Sequence, residues 1–413
     1  MVRPQTPMGV ERPRRLRRVG AVLTSLCAIA TTVVAVPAHA TGPGGPCALP
    51  RSQAHHSEGL DSWNAAYPRP AGRLDAVMIF LSFPGSRPVV SPERLAADHF
   101  PATSRFFERA SYGRFSLRAH PLKRWFRMPR PATSYRIQRD WEGDQRSDYL
   151  RDAVAAADGE VDFSRYDLVY LVADPDAPGV DSDATKVVNL DRPLEADRTP
   201  LRRVVTVFEH HPPDRNVLAH ETGHVLDLPD LYHRPTDGKG DWDTHVGDWD
   251  LMGSQFGLAS EPFAWHKWKL GWLGSRQVAC VPGTGSSLHT LQPLESPMLP
   301  GNDARTRLIV VRTGVASALA IEARSAYGND AATCTEGVLV YRVESETASG
   351  GGPVQVLDGH PGHQACWGES VYPPLADAPL GVGESLTSGR DGVRVTVRGR
   401  TAGGSWTVGV TRG

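Results

Sequence analysis

Residues 220 to 230 read His-Glu-Thr-Gly-His-Val-Leu-Asp-Leu-Pro-Asp. Two histidines stand four apart, with a glutamate directly after the first. On an α-helix, residues i and i+4 share a face, so His220 and His224 can turn neutral imidazoles toward one ion. Glu221 then lies close enough to take a proton from water polarised by that ion. This is the chemistry of a zinc hydrolase. A bare His-Glu-x-x-His also arises by chance on exposed helices, so its surroundings decide. Val217, Leu218, Val225, Leu226 and Leu228 supply an apolar surface that predicts a helix buried on one side. Asp214 or Asn216 can cap its start, after Pro212 and Pro213, and Pro229 is expected to end it.

A catalytic zinc takes three protein ligands and keeps one position open. Asp230, ten residues after His220, can supply the third if the chain turns back sharply at Pro229-Asp230. Taken alone, an aspartate there more commonly bonds its own backbone. His233 and Glu261 are the rival ligands. Downstream, Asp248-Trp-Asp-Leu-Met252-Gly-Ser254 can place a methionine in a tight turn as a soft apolar floor under the site. Read alone, Met252 is an ordinary core methionine.

Together these segments resemble the metzincins, and more narrowly the immune inhibitor A family of secreted bacterial metalloproteases. The matching stretches are His220 to Tyr232, Val246 to Gly253 and Pro262 to Trp272. Looser matches are Phe106 to Phe115, Ala318 to Arg324 and Gly337 to Val343. The resemblance spans about residues 73 to 345, and the histidine helix is its most specific part. It implies zinc as cofactor, His220, His224 and Asp230 as ligands, Glu221 as general base and Met252 as the turn methionine. The chain departs from the family at Asp227, where glycine is usual. Aspartate tolerates left-handed backbone better than most residues, so that turn is expected to be strained rather than excluded. The expected activity is endopeptidase cleavage of protein or peptide substrates, with Glu221 moving the proton. The alternative is an inactive zincin-like scaffold whose β-rich part binds a polymer or a cell surface.

The first forty residues read as an export signal. Arg12, Arg14, Arg15, Arg17 and Arg18 precede an apolar stretch from Val19 to Val36, and Ala38-His39-Ala40 fits a cleavage site. A single membrane anchor is the competing reading, but the stretch is short for one. The full chain has 45 basic and 46 acidic residues. Removing residues 1 to 40 takes away six arginines and Glu11, leaving about six excess negative charges. No basic stripe then points to nucleic acid, and no stable membrane insertion is expected of the mature chain. A monomer is expected. Cys27 leaves with the signal, and the even set Cys47, Cys280, Cys334 and Cys366 predicts two disulfides in an exported protein. Proximity in sequence favours Cys334 with Cys366 and Cys47 with Cys280.

The expected organisation is a signal at 1–40, a linker or short leader at 41–72, a catalytic domain at 73–275 and a β-rich C-terminal domain at 276–413. His55-His56 reads as solvated. Ala76 to Phe83, Leu168 to Val172 and Val204 to Phe208 read as strands. A helix beginning at Ser91-Pro92 and interrupted at Pro101, and another over Ser147 to Ala157, alternate with them. The fold class expected is an α/β metzincin-like catalytic domain, with a mixed sheet and the zinc helix packed against it, followed by a β-sandwich-like region. Asp174 to Asp183 and the group Asp241, Asp243, Asp248 and Asp250 read as solvated acidic loops, with bracing Ca2+ sites as the alternative. Of the tryptophans at 242, 249, 265, 268 and 272, most are expected to pack and one or two to line a cleft.

Overall fold

The computed structural model describes residues 45–235, 239–298 and 304–413. The expected export signal at 1–40 lies outside the described residues.

Strand β1 (Gly72–Ser82) carries an unbroken apolar run from Ala76 to Leu81, every residue of it fully buried. Such a run belongs in the middle of a sheet covered on both faces. Helices α1 (Pro92–His99) and α2 (Ala102–Ala110) follow, then β2 (Phe115–Arg127), α3 (Gly143–Ala157), β3 (Leu168–Ala173), β4 (Lys186–Ala196) and β5 (Thr199–Val207). The strands form a five-stranded sheet in the order β2-β1-β3-β5-β4. Neighbours run parallel except the edge strand β4, which is antiparallel to β5. Alternation along β1 sorts the two faces. Val77, Ile79 and Leu81 join one core with Tyr149, Leu150 and Ala153 of α3. Ala76, Met78 and Phe80 join the other with Phe106 and Phe107 of α2 and Leu218 of α4 (Val217–Val225). Tyr170 of β3 is bonded at 2.9 Å to Thr222 of α4, tying the histidine helix to the sheet.

Two local expectations need correction. Asn216 stands at the N-cap of α4 but in left-handed backbone with no side-chain cap bond. Its amide instead reaches the Gln255 carbonyl, and Asp214 accepts from the Gln255 side chain. The two residues pin the 254–256 loop rather than cap the helix. Nor does Pro229 end α4. Leu226 is the C-cap, and Asp227 follows at φ 67°. The Asp227 N–H donates to the His224 carbonyl and the Leu228 N–H to the Gly223 carbonyl, both bonds of a Schellman motif.

After α5 (Ala264–Lys269) come β6 (Val278–Val281), β7 (Gly285–Leu291), β8 (Leu308–Arg312), β9 (Ser317–Arg324), β10 (Gly337–Glu344), β11 (Val354–Val356), β12 (Ser385–Ser388), β13 (Val393–Arg400) and β14 (Trp406–Arg412). They build two sheets, β11-β10-β9-β8-β6 and β12-β13-β14-β7. Ile309, Val311, Ile321 and Val340 of the first share a core with Val395, Val397, Val408 and Val410 of the second, which makes a sandwich. The opposite face of the first sheet, with Val310, Ala320, Leu339 and Tyr341, packs into the same core as α4 and Trp265. The core therefore runs across the expected boundary at 275/276 without a break, and the described residues cluster as one unit.

Residues 45–72 do not behave as the expected linker. Cys47, Leu49, His56, Ser57 and Glu58 are buried, so His56 is not solvated. Both expected disulfides are present, with Cα–Cα separations of 5.7 Å for Cys47–Cys280 and 6.3 Å for Cys334–Cys366. No helix among the described residues is long and apolar enough to cross a membrane.

Candidate metal centre

α4 buries His220, Glu221 and His224 while leaving their tips at the wall of a cleft of about 670 Å³. Each imidazole is fixed through Nδ1. His220 Nδ1 bonds the Leu251 carbonyl at 3.0 Å, and His224 Nδ1 bonds the Leu228 carbonyl at 2.8 Å. A carbonyl only accepts, so each neutral ring carries its proton on Nδ1 and presents a lone pair at Nε2.

The Schellman turn then swings Asp230 back toward both rings. Asp230 Oδ1 lies 3.0 Å from His224 Nε2 and 3.4 Å from His220 Nε2. Its Oδ2 accepts from the Ser349 hydroxyl at 3.0 Å, while the Asp230 N–H donates to Ser349 Oγ at 2.8 Å. Oδ1 itself is buried, with no neighbour to bond it besides the two ring nitrogens. Three lone-pair atoms so close repel one another unless a proton or a cation lies among them. The donor set, two imidazoles and one carboxylate, is the one zinc takes in catalytic sites, so these residues fit the ion. Among the described residues, they are the one group of three or more metal-ligating side chains whose ligand atoms converge, all within 4.8 Å. Charge follows the same geometry. Burial lowers the proton affinity of His224, but Asp230 beside it raises the pKa to about 9. Burial likewise opposes the charge on Asp230, yet His224 and His220 hold its carboxyl well below the usual range.

The rival ligands are elsewhere. His233 packs its ring against His245 at 5.1 Å. Glu261 is buried in an ion pair with Lys267. Glu221 faces the cleft with Oε2 accepting from the Val187 N–H of β4 at 2.6 Å. Burial raises its pKa, partly offset by the two histidines. Met252 sits directly under α4, since a Cβ on Gly223 would come within 2.4 Å of its Sδ. Its carbonyl accepts from the Leu231 N–H at 2.9 Å, tying the methionine turn to the Asp230 turn.

Asp248 and Asp250 are not solvated. Both are buried, Asp248 accepting from the Leu258 and Val371 N–H groups and Asp250 from those of Met252 and Phe263. Trp242 lines the cleft, while Trp249, Trp265, Trp268 and Trp272 belong to the core. Sequence reasoning missed Val187, Ser349 and His56, whose ring stacks on His224 at 5.6 Å. None of them lies near the motif in sequence, so no spacing could reveal them.

No protein-family model matches the chain, and no curated protein matches it. Among solved structures it is distantly similar to wild-type OgpA from Akkermansia muciniphila, seen in two crystal forms. The TM-scores are 0.28 and 0.27, at 11% and 10% identity, over 72% of this chain and 95% and 94% of that chain.

Proposed function

We propose that the chain is an exported zinc-dependent endopeptidase of the immune inhibitor A type. The observation that carries this reading is the convergence of two imidazole lone pairs and one orphaned carboxylate oxygen beside a buried glutamate, on the wall of an open cleft. Two disulfides are in keeping with an oxidising compartment outside the cell. A zinc ion held by His220, His224 and Asp230 would supply Lewis-acid polarisation to a water and to the scissile carbonyl. Glu221 removes a proton from the attacking water as its oxygen bonds to the carbonyl carbon. It returns that proton to the amide nitrogen as the C–N bond breaks, leaving a carboxylic acid, which ionises to solvent, and a free amine. The raised pKa of a buried carboxyl suits a group that must both accept and release a proton. The Val187 N–H holds Oε2 and so leaves Oε1 for the proton.

An inactive scaffold would be favoured if a non-glycine residue at 227 kept Asp230 away from the histidines; here Asp227 takes φ 67° and Asp230 lies 3.0 Å from His224. The test is zinc content and cleavage of a generic unfolded protein, measured with and without a chelator. Stoichiometric zinc and chelator-sensitive cleavage support the reading, and a zinc-loaded chain that cuts no peptide bond sinks it.

A further inference from the structure

Residues 51–58 form a segment that reaches several parts of the metal centre. Asp227, the residue that ends α4, holds its carboxylate in the interior, 1% exposed. His56 Nδ1 donates to its Oδ1 at 3.0 Å. Arg51 Nη1 lies 2.8 Å from its Oδ2, as an ion contact rather than a directed hydrogen bond. Lys269 of α5 donates to the Asp227 carbonyl at 2.7 Å and lies 3.7 Å from Glu58. Glu58 in turn bonds His266 Nε2 at 2.7 Å, and His266 Nδ1 bonds Asp250 at 2.7 Å. Asp250 closes the line by accepting from the Met252 N–H at 2.8 Å. Charges alternate in sign from Arg51 to Asp250, and from His56 inward their side chains are almost wholly sealed from water. Buried charges persist only when paired, so the members of this line depend on one another.

The two ends of the line are the two walls of the site. At one end Asp227 fixes the turn that delivers Asp230. At the other, Asp250 fixes the turn whose Leu251 carbonyl orients His220. The segment also touches His224 and Ser349. The His56 ring stacks on that of His224 at 5.6 Å and 28°. The His55 carbonyl accepts from the N–H of Ser349, whose hydroxyl grips Asp230.

We infer that Arg51, His56 and Glu58 are positioning residues for the metal centre, so that residues 51–58 set its affinity for zinc. The inference rests on the metal reading above. The left-handed turn that the Schellman motif needs is occupied here by an aspartate, whose buried charge is met by His56 and Arg51 of the N-terminal segment together with Lys269 of α5. The turn and the segment therefore form one device.

The test is the zinc dissociation constant of the full mature chain, by competition with a chromogenic chelator, for wild type, H220A, H56L, H56N and E58Q. Near-ultraviolet circular dichroism checks that each is folded. Outer-shell partners of metal ligands typically govern about 10–100-fold in affinity, and a loss of that size is expected for H56L and E58Q. H56N keeps a donor where Nδ1 stood and should return to near wild-type affinity. A folded H56L or E58Q that binds zinc as tightly as wild type overturns the inference. Should H56L not fold, the nearly isosteric E58Q decides alone. The failures are distinguishable. If wild type binds zinc no better than H220A, the metal reading itself has failed. If wild type binds and the N-terminal variants match it, only the positioning role has.

Discussion

His220 and His224 each commit one ring nitrogen to a main-chain carbonyl, and this leaves the other nitrogen of each as a donor to a cation. Asp230 does the same with its two oxygens, one on Ser349 and one toward the rings. The arrangement predicts that Asp230→Ala loses zinc affinity as His220→Ala does, while His233→Ala keeps it; chelator competition measures all three. Asp227 makes a sharper case. Glycine is the usual residue at a left-handed helix end, so Asp227→Gly should relieve about 1 kcal/mol of backbone strain. It also leaves the partly buried Arg51 without its partner beside a neutral His56, and breaking a fully buried pair would cost about 3–5 kcal/mol, an upper bound here. The melting temperature should therefore fall. A rise would show that the buried ion contacts contribute nothing. The convergence of His220 and His224 was open to sequence reasoning because residues four apart share a helix face, with Glu221 three before His224. The carboxylate of Asp227 was not, because its partners lie some 170 residues upstream.

At the scale of elements, β1, β3, β5 and the helices before α4 announce themselves by periodicity, because each buries a continuous face. β4 does not. It is a half-exposed edge strand with Asn189, Asp191, Arg192 and Pro193 in its middle, yet it supplies the N–H that holds Glu221. Residues 45–72 hid for a related reason: only the short run 47–49 is apolar core, while His56 and Glu58 are buried through partners distant in sequence. α4 packs on the methionine turn without spare room. Gly223→Ala should cost about 1–3 kcal/mol, by forcing Met252 Sδ or the helix to move. A chemical denaturation midpoint equal to wild type would show that the turn yields freely. α5 offers a test by pH. Burial alone would lower the pKa of His266, but Asp250 and Glu58 raise it to about 10. A histidine whose folded pKa exceeds its unfolded value near 6.5 stabilises fully below pH about 6.5, and that contribution is lost as pH rises toward 10. His266→Gln should therefore lower stability at pH 6 and flatten the decline between pH 7 and 10. Unchanged slopes in that window would mean the histidine is neutral.

Across the whole molecule, the β-rich half braces the site from outside the cleft, whose lining comes from residues 139–256. Ser349, in the loop after β10, holds Asp230, and Tyr341 of β10 bonds Glu322 and the backbone of α5. The division expected at 275/276 follows a real change from mixed α/β to all-β pattern, but composition cannot show that both parts share one core. A fragment of residues 73–275 should consequently neither fold cooperatively nor retain zinc. The Cys47–Cys280 bridge joins residues 233 apart and pins the N-terminal segment to β6. Replacing both cysteines by serine should cost about 2–5 kcal/mol in denaturant melts. The central claim, that Glu221 moves the proton at a zinc held by His220, His224 and Asp230, has its most direct test in one comparison. Wild type and Glu221→Ala, both loaded with zinc and quantified for metal, are given the same unfolded protein, and the rate of peptide-bond cleavage is read by mass spectrometry. The account predicts equal zinc in both and cleavage slower by about 10²–10⁴ in the variant. Equal zinc with equal rates would contradict it.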